Sequence, residues 1–334
     1  MNTRASILLT AVLVLLVAAP LSAAQAPAKV PTLGYLVQFS GSAGPKSRNM
    51  VAFLQGLSDL GYVEGKNIAI EYRYTEGKND RLPALAAELV ALKVDVIVTE
   101  TGTGAGAAQG ASRTIPIVME NSNDAVGQGI IASLDHPGGN VTGLTALSSA
   151  VDGKRLQLLA QVVPNLTHVG VLWAGGSNPV FDREWAETRT AAGPLNVQVH
   201  SLEARDPAGF PEAFAEATRQ RVQAILQFDV NTYGSVAAAL QLADLAIKNH
   251  LPMMFQSTGF VLRGGLIAYG PDGADLARRA ASYVDRILKG ANPADLAVGT
   301  PDKFVLTVNL NTAKTLGLTI PQSVLSQAEI VGGD

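Results

Sequence analysis

The 334-residue sequence contains no cysteine. That excludes disulfides, thiolate metal sites, iron–sulfur clusters, a cysteine nucleophile and a lipid-modified cysteine at a processed N-terminus. Histidine is scarce too. His136, His168, His200 and His250 lie far apart, none three or four residues from another and none in an HExxH pattern, so no metal site is expected. Charged residues make up only 16 % and the formal net charge is −3, with no clustered basic face, so no nucleic-acid partner is expected. No G-x-S-x-G elbow of a serine hydrolase occurs. Beyond the first two dozen residues, no apolar run is long enough to span a membrane.

What is present begins with an export signal. Arg4 supplies a positive start, Ile7 to Ala19 form an apolar stretch, and Pro20 is followed by Ser22-Ala23-Ala24. Residues 1–24 therefore read as a signal peptide cleaved near Ala24, which places the processed protein in the periplasm. ATP and NAD are scarce there, so no cofactor is expected. The remaining chain, in a sequence 47 % hydrophobic, is long enough for two cores.

Strands and helices then alternate. Leu33–Val37, Asn67–Tyr72, Val94–Val98 and Ile115–Met119 read as strands. Between them lie a helix with Met50, Phe53, Leu54 and Leu57 on one face, ended by Gly61, and one capped by Asp80 with Leu82, Leu85, Leu89 and Leu92 aligned. The rhythm pauses at His136–Asn140 and restarts with a helix from Asp152. Strands at Val169–Trp173, Leu195–His200, Ala224–Phe228 and Leu251–Phe255 follow. A second pause at Arg263-Gly264-Gly265 precedes a short strand Leu266–Tyr269, a helix Ala274–Lys289, a strand around Phe304–Val308 and a short helix Thr312–Leu316. The fold class is α/β, with two doubly wound parallel-sheet lobes joined by a three-segment hinge. The expected division is residues 31–143 plus 266–300 for lobe 1, and 144–265 plus 301–334 for lobe 2.

Ligands in such sheets sit at the carboxyl ends of strands, here facing a cleft. Gly102-Thr103-Gly104-Ala105-Gly106, with Glu120 18 residues beyond Gly102, has the outline of a dinucleotide fingerprint. Its third glycine comes one position early and it follows the third strand. The better reading is a helix N-terminus that, with Thr101 and Thr103, faces the cleft and accepts an anion. The ligand-binding candidates are Ser40, Thr101, Gly102, Thr103, Asn123, Asp124, Trp173, Asn178, Asp229 and Gln256. Ser42, Asn121, Ser122 and Ser257 lie at the same strand ends. Asp124 and Asp229 suit an ammonium group, and Trp173 offers a stacking face. An exported enzyme using Asp124 or Glu120 as a base lacks a second carboxylate or histidine at recognisable spacing; no catalytic residue is assigned.

Several stretches carry a family resemblance: Gly56–Asn67, Asp80–Ala86, Thr114–Val118, Pro137–Leu144, Tyr269-Gly270-Pro271, Ile287–Gly290 and Asn311–Leu318. Together and in order, they resemble the tryptophan/aromatic-amino-acid-type ABC transporter substrate-binding proteins, which have the type I periplasmic-binding-protein fold. The resemblance implies a non-enzymatic receptor that closes on a small polar ligand, an amino acid and aromatic in some relatives; a monomer is expected. It would deliver that ligand to an inner-membrane ABC permease driven by a separate ATPase. The alternative is a ligand-sensing periplasmic domain for a membrane signalling partner. In the cleft the sequence departs from its relatives, with Thr101-Gly102-Thr103 where they show Gly-Thr-Pro and Asn123-Asp124-Ala125 where they show Gly-Asp-Pro. Ligand identity therefore does not carry over.

Overall fold

The computed structural model describes residues 29–38, 42–44, 46–146, 151–176, 179–228, 233 and 236–333. The expected signal peptide, and the candidates Ser40, Asn178 and Asp229, lie outside them.

The first lobe is built from β1 (Thr32–Val37), α1 (Arg48–Asp59), β2 (Ala69–Tyr74), α2 (Leu82–Ala91), β3 (Val96–Thr99), α3 (Gly102–Ala111), β4 (Ile117–Ser122) and β5 (Val141–Thr145). Its five strands pair in the order β2-β1-β3-β4-β5, all parallel. The central strands are buried on both faces, which is why β1 and β3 read as unbroken apolar runs. On one face Leu82, Leu85 and Leu89 of α2 pack against Leu36, Ile97 and Met119. On the other, Met50, Phe53 and Leu57 of α1 pack against Tyr35, Val96 and Val98.

The second lobe contains α4 (Asp152–Val162), β6 (His168–Trp173), α5 (Pro179–Leu195), β7 (Gln198–Glu203), α6 (Phe210–Arg219), β8 (Ala224–Gln227), α7 (Val236–Lys248), β9 (Met253–Phe255), α8 (Thr258–Val261) and β10 (Ile267–Pro271). The chain then returns to the first lobe as α9 (Gly273–Leu288). It re-enters the second as β11 (Phe304–Asn309), α10 (Leu310–Thr315), α11 (Gln322–Leu325) and β12 (Ala328–Val331). The seven strands pair as β12-β11-β10-β9-β8-β6-β7, parallel except where β11 runs against β10.

The two parallel-sheet lobes expected from the sequence are present, and three segments cross between them. The boundary at 266 is corrected. Residues 267–271 belong to the larger sheet, where Ile267 pairs with Met254 and Val308. Only after Pro271 does the chain cross back, because the apolar stripe Leu276, Ala277, Ala280, Ala281, Val284 and Ile287 of α9 completes the first lobe's core against α1. Likewise the strand expected from Leu195 begins at Gln198, since Leu195 ends α5. Asp80 lies in a short 3-10 turn, Asn79–Arg81, ahead of α2 rather than capping it, and Leu92 is exposed.

Candidate functional site

The carboxyl ends of β1, β3 and β4 face those of β9 and β10 across a cavity of about 290 Å³. That lies near the lower edge of the roughly 300–1,000 Å³ usual for small-molecule sites. Gln38, Glu100, Thr101, Asn121 and Asn123 form its first-lobe wall. Arg155, Ala239, Gln256, Ser257, Thr258, Phe260, Leu262 and Arg263 form the opposite wall, and Ala146, Pro271 and Gly273 line the crossings at its root.

On the first wall, Thr101 caps α3. Its hydroxyl accepts the Gly104 N–H at 3.1 Å and donates to Gln38 Oε1. The Gln38 N–H in turn donates to Glu100 Oε2, so a buried carboxylate, a hydroxyl and an amide side chain are locked together. Gly102 is required behind them. A Cβ there would stand 2.3 Å from Gln128 Oε1 and 2.5 Å from Ser122 Oγ, so any side chain would displace the loop after β4 from the α3 N-terminus.

A second carboxyl lies deeper. Glu120 is buried and accepts a hydrogen bond from the Tyr35 hydroxyl. Burial first, and the nearby Glu100 charge second, hold the Glu120 carboxyl well above the usual carboxylate range, against the opposing pull of the Tyr35 hydrogen bond. Burial and the Glu120 charge likewise raise the Tyr35 phenol.

On the second wall, Arg155 is fully buried. Its Nη1 donates to Asp152 Oδ1 at 2.6 Å and its Nε to the Tyr269 carbonyl at 2.7 Å, while Nη2 has no partner. Asn121 Oδ1 and Gln256 Oε1 are also buried without a partner. Leaving such atoms unsatisfied costs on the order of 1–3 kcal/mol each. Three of them around one cavity mark a place where a ligand or ordered water must complete the hydrogen bonding. The apolar part of the wall is Ala239, Leu262 and Phe260, whose ring stacks on Phe255 with centroids 5.0 Å apart.

Of the residues picked out in sequence, Thr101, Asn123 and Gln256 line this cavity. Gly102 is buried behind it and Thr103 is exposed. Asp124 is engaged elsewhere, accepting from the Gly127 N–H at 2.8 Å and from Arg183 Nη1 at 3.0 Å. Trp173 does not line the cavity. Its indole lies edge-on to Phe181 and Trp185, donates to Ser201 Oγ at 2.7 Å, and borders a separate hollow with Arg189 and Asp182. The aromatic surface facing the cleft is Phe260 instead. Sequence reading passed over Gln38, Glu100 and Arg155. A charged Asp152/Arg155 pair on the same helical face as Leu156 and Leu159 was the available signal. Among the described residues no cluster of three or more potential metal ligands occurs, and no helix is long and apolar enough to cross a membrane.

Comparison with known proteins agrees with this architecture. The chain is 26 % identical over 277 residues, 80 % of its own length and 75 % of the other's, to a tyrosine-binding protein of Clostridioides difficile (strain R20291). A conserved domain protein of Vibrio cholerae is 27 % identical with a TM-score of 0.80, covering 91 % of this chain and all of that one. An ABC domain from Streptococcus pneumonia in complex with L-Trp shares the fold, with 24 % identity, a TM-score of 0.79 and coverage of 90 % and 99 %. Residues 44–331 match the model of the ABC transporter substrate binding protein family, a family of solute-binding proteins rather than of enzymes, and the chain belongs to that family.

Proposed function

We propose that this protein is the exported receptor of an ABC importer, capturing an amino acid in the cleft between its lobes and handing it to a membrane permease. The observation that carries the reading is the cavity itself. It is walled by both lobes, has the Arg155 guanidinium on one side and the Glu100 carboxyl on the other, and has unpartnered buried polar atoms on each side. A ligand that bonds to both walls favours the closed form over the open one, and that differential affinity is what drives closure. Phe260, Leu262 and Ala239 offer an apolar surface for a side chain, and relatives that bind tyrosine and tryptophan support an aromatic one.

The test is isothermal titration and thermal shift with the proteinogenic amino acids, including tryptophan, tyrosine and phenylalanine. Saturable heat and a raised melting temperature with at least one of them are expected. A folded protein that responds to none would refute the reading.

A further inference from the structure

Arg155 stands out within the cleft. A guanidinium is charged at every accessible pH and carries five N–H donors in a rigid planar fork. Here it is wholly buried, and its position is fixed twice: by Asp152 one turn earlier in α4, and by the Tyr269 carbonyl of β10. Those two bonds use Nη1 and Nε. They leave the Nη2 edge without a partner, although Arg155 is one of the residues lining the cavity. The backbone beside that edge bears no side chain, since the neighbour is Gly270, where even a Cβ would stand 3.7 Å from Nη2 and 1.9 Å from the Gln256 carbonyl.

We propose that Arg155 is the residue that reads the ligand's charge, seating a carboxylate of the ligand on Nη2. This rests on the receptor reading above. Three points define the class. A buried, unpaired edge of a guanidinium is satisfied most strongly by an anionic oxygen, through a charge-assisted hydrogen bond. The same surroundings already hold the carboxylates of Asp152 and Glu100, so a phosphate dianion would meet like charge. A singly charged carboxylate on a molecule that also carries a cation adds no net charge to the cleft, whereas a phosphate dianion adds two negative charges. The ligand is therefore an amino acid in its zwitterionic form, and neutral sugars and nucleosides are excluded. Arg155 lies on the second lobe while Glu100 lies on the first. A ligand whose carboxylate meets Arg155 and whose ammonium faces Glu100 draws the lobes together with its own two charges.

The experiment is titration of the full chain with L-tryptophan and L-tyrosine, with the primary amide of each, and with the other amino acids and a set of neutral sugars. It is run on the wild type and on Arg155→Lys. In the wild type the amides are expected to bind at least about 100-fold more weakly than the acids, the scale of a lost partner at a buried charge. In Arg155→Lys the acid is expected to weaken while the acid-to-amide ratio collapses. A merely structural loss would weaken acid and amide alike. An amide that binds as well as its acid, or a neutral sugar that binds, overturns the anchor and leaves the receptor standing. Silence across the whole panel overturns both. Should Arg155→Lys fail to fold, the acid-against-amide comparison in the wild type decides by itself.

Discussion

Arg183 and Asp124 meet between the two lobes, Nη1 to Oδ2 at 3.0 Å. Arg183 belongs to α5 of the second lobe, and Asp124 follows β4 of the first. The carboxylate is almost wholly buried and also accepts the Gly127 N–H, whereas the guanidinium is half exposed. In the receptor cycle proposed above, a pair that bridges the lobes is made only when they are shut, so its energy would be added to the closed form alone.

Arg183→Gln should therefore weaken ligand binding without touching the ligand. For a pair with one half-exposed partner the loss is about 0.5–1 kcal/mol, roughly two- to fivefold in affinity. It should appear mainly as faster ligand release, and should shrink as salt screens the wild-type pair. Stopped-flow dissociation and small-angle scattering of the ligand-free protein check it. An unchanged release rate together with an unchanged radius of gyration would show that the contact does not bias closure.

Thr101 joins helix stability to the cleft wall. Thr101→Ala removes an N-cap, worth about 1 kcal/mol, and leaves the buried Gln38 amide without its hydroxyl partner. Denaturation by urea should show a lower midpoint with an unchanged slope. Thr101→Ser keeps the hydroxyl and should recover most of the loss.

These sites differ in how far sequence announces them. Strand ends in a doubly wound sheet face the ligand by topology, so Thr101, Asn123 and Gln256 were legible as soon as β3, β4 and β9 were. Arg155 was not. Its position depends on the Tyr269 carbonyl, 114 residues away, and no local pattern encodes that contact. The same distinction runs through the fold. The stripe from Leu276 to Ile287 announces a helix, but only packing against Met50, Phe53 and Leu57 reveals which lobe it completes. β12 escaped notice because Ala328-Glu329-Ile330-Val331 is a short edge strand with no buried residue, and such a strand carries almost no period-two signal. β5 escaped because Val141-Thr142-Gly143-Leu144-Thr145 is buried throughout and interrupted by glycine, so alternation never develops.

Trp173 and Phe260 give opposite expectations that check the placement of the aromatic wall. Trp173 packs against Phe181 and Trp185 away from the cleft, so Trp173→Phe should leave amino-acid affinity unchanged. It should cost only the hydrogen bond to Ser201, about 1 kcal/mol of stability. Phe260→Leu keeps a buried apolar side chain but loses the ring stacked on Phe255, and should weaken binding of aromatic amino acids more than of branched ones. Parallel titrations of the two variants decide it, and loss of binding in Trp173→Phe alone would move the wall to the other side of the lobe.

Glu120 sets the pH dependence of the first lobe. Its carboxyl titrates well above the ordinary carboxylate range because it is buried and lies near Glu100. A group whose folded value is raised contributes its stability below the unfolded value of about 4.5, and loses it as pH climbs toward the folded one. The folded protein therefore binds more protons than the unfolded chain over that window, and wild-type stability should fall as pH rises from about 5 toward neutrality. Glu120→Gln keeps an oxygen to accept the Tyr35 hydroxyl but cannot ionise. Its melting temperature should be flatter across the same range and should exceed that of the wild type increasingly toward pH 8. Calorimetric scans of both proteins at pH 5, 6.5 and 8 give the two slopes. Parallel slopes would mean that Glu120 takes on its charge at no cost where it is buried.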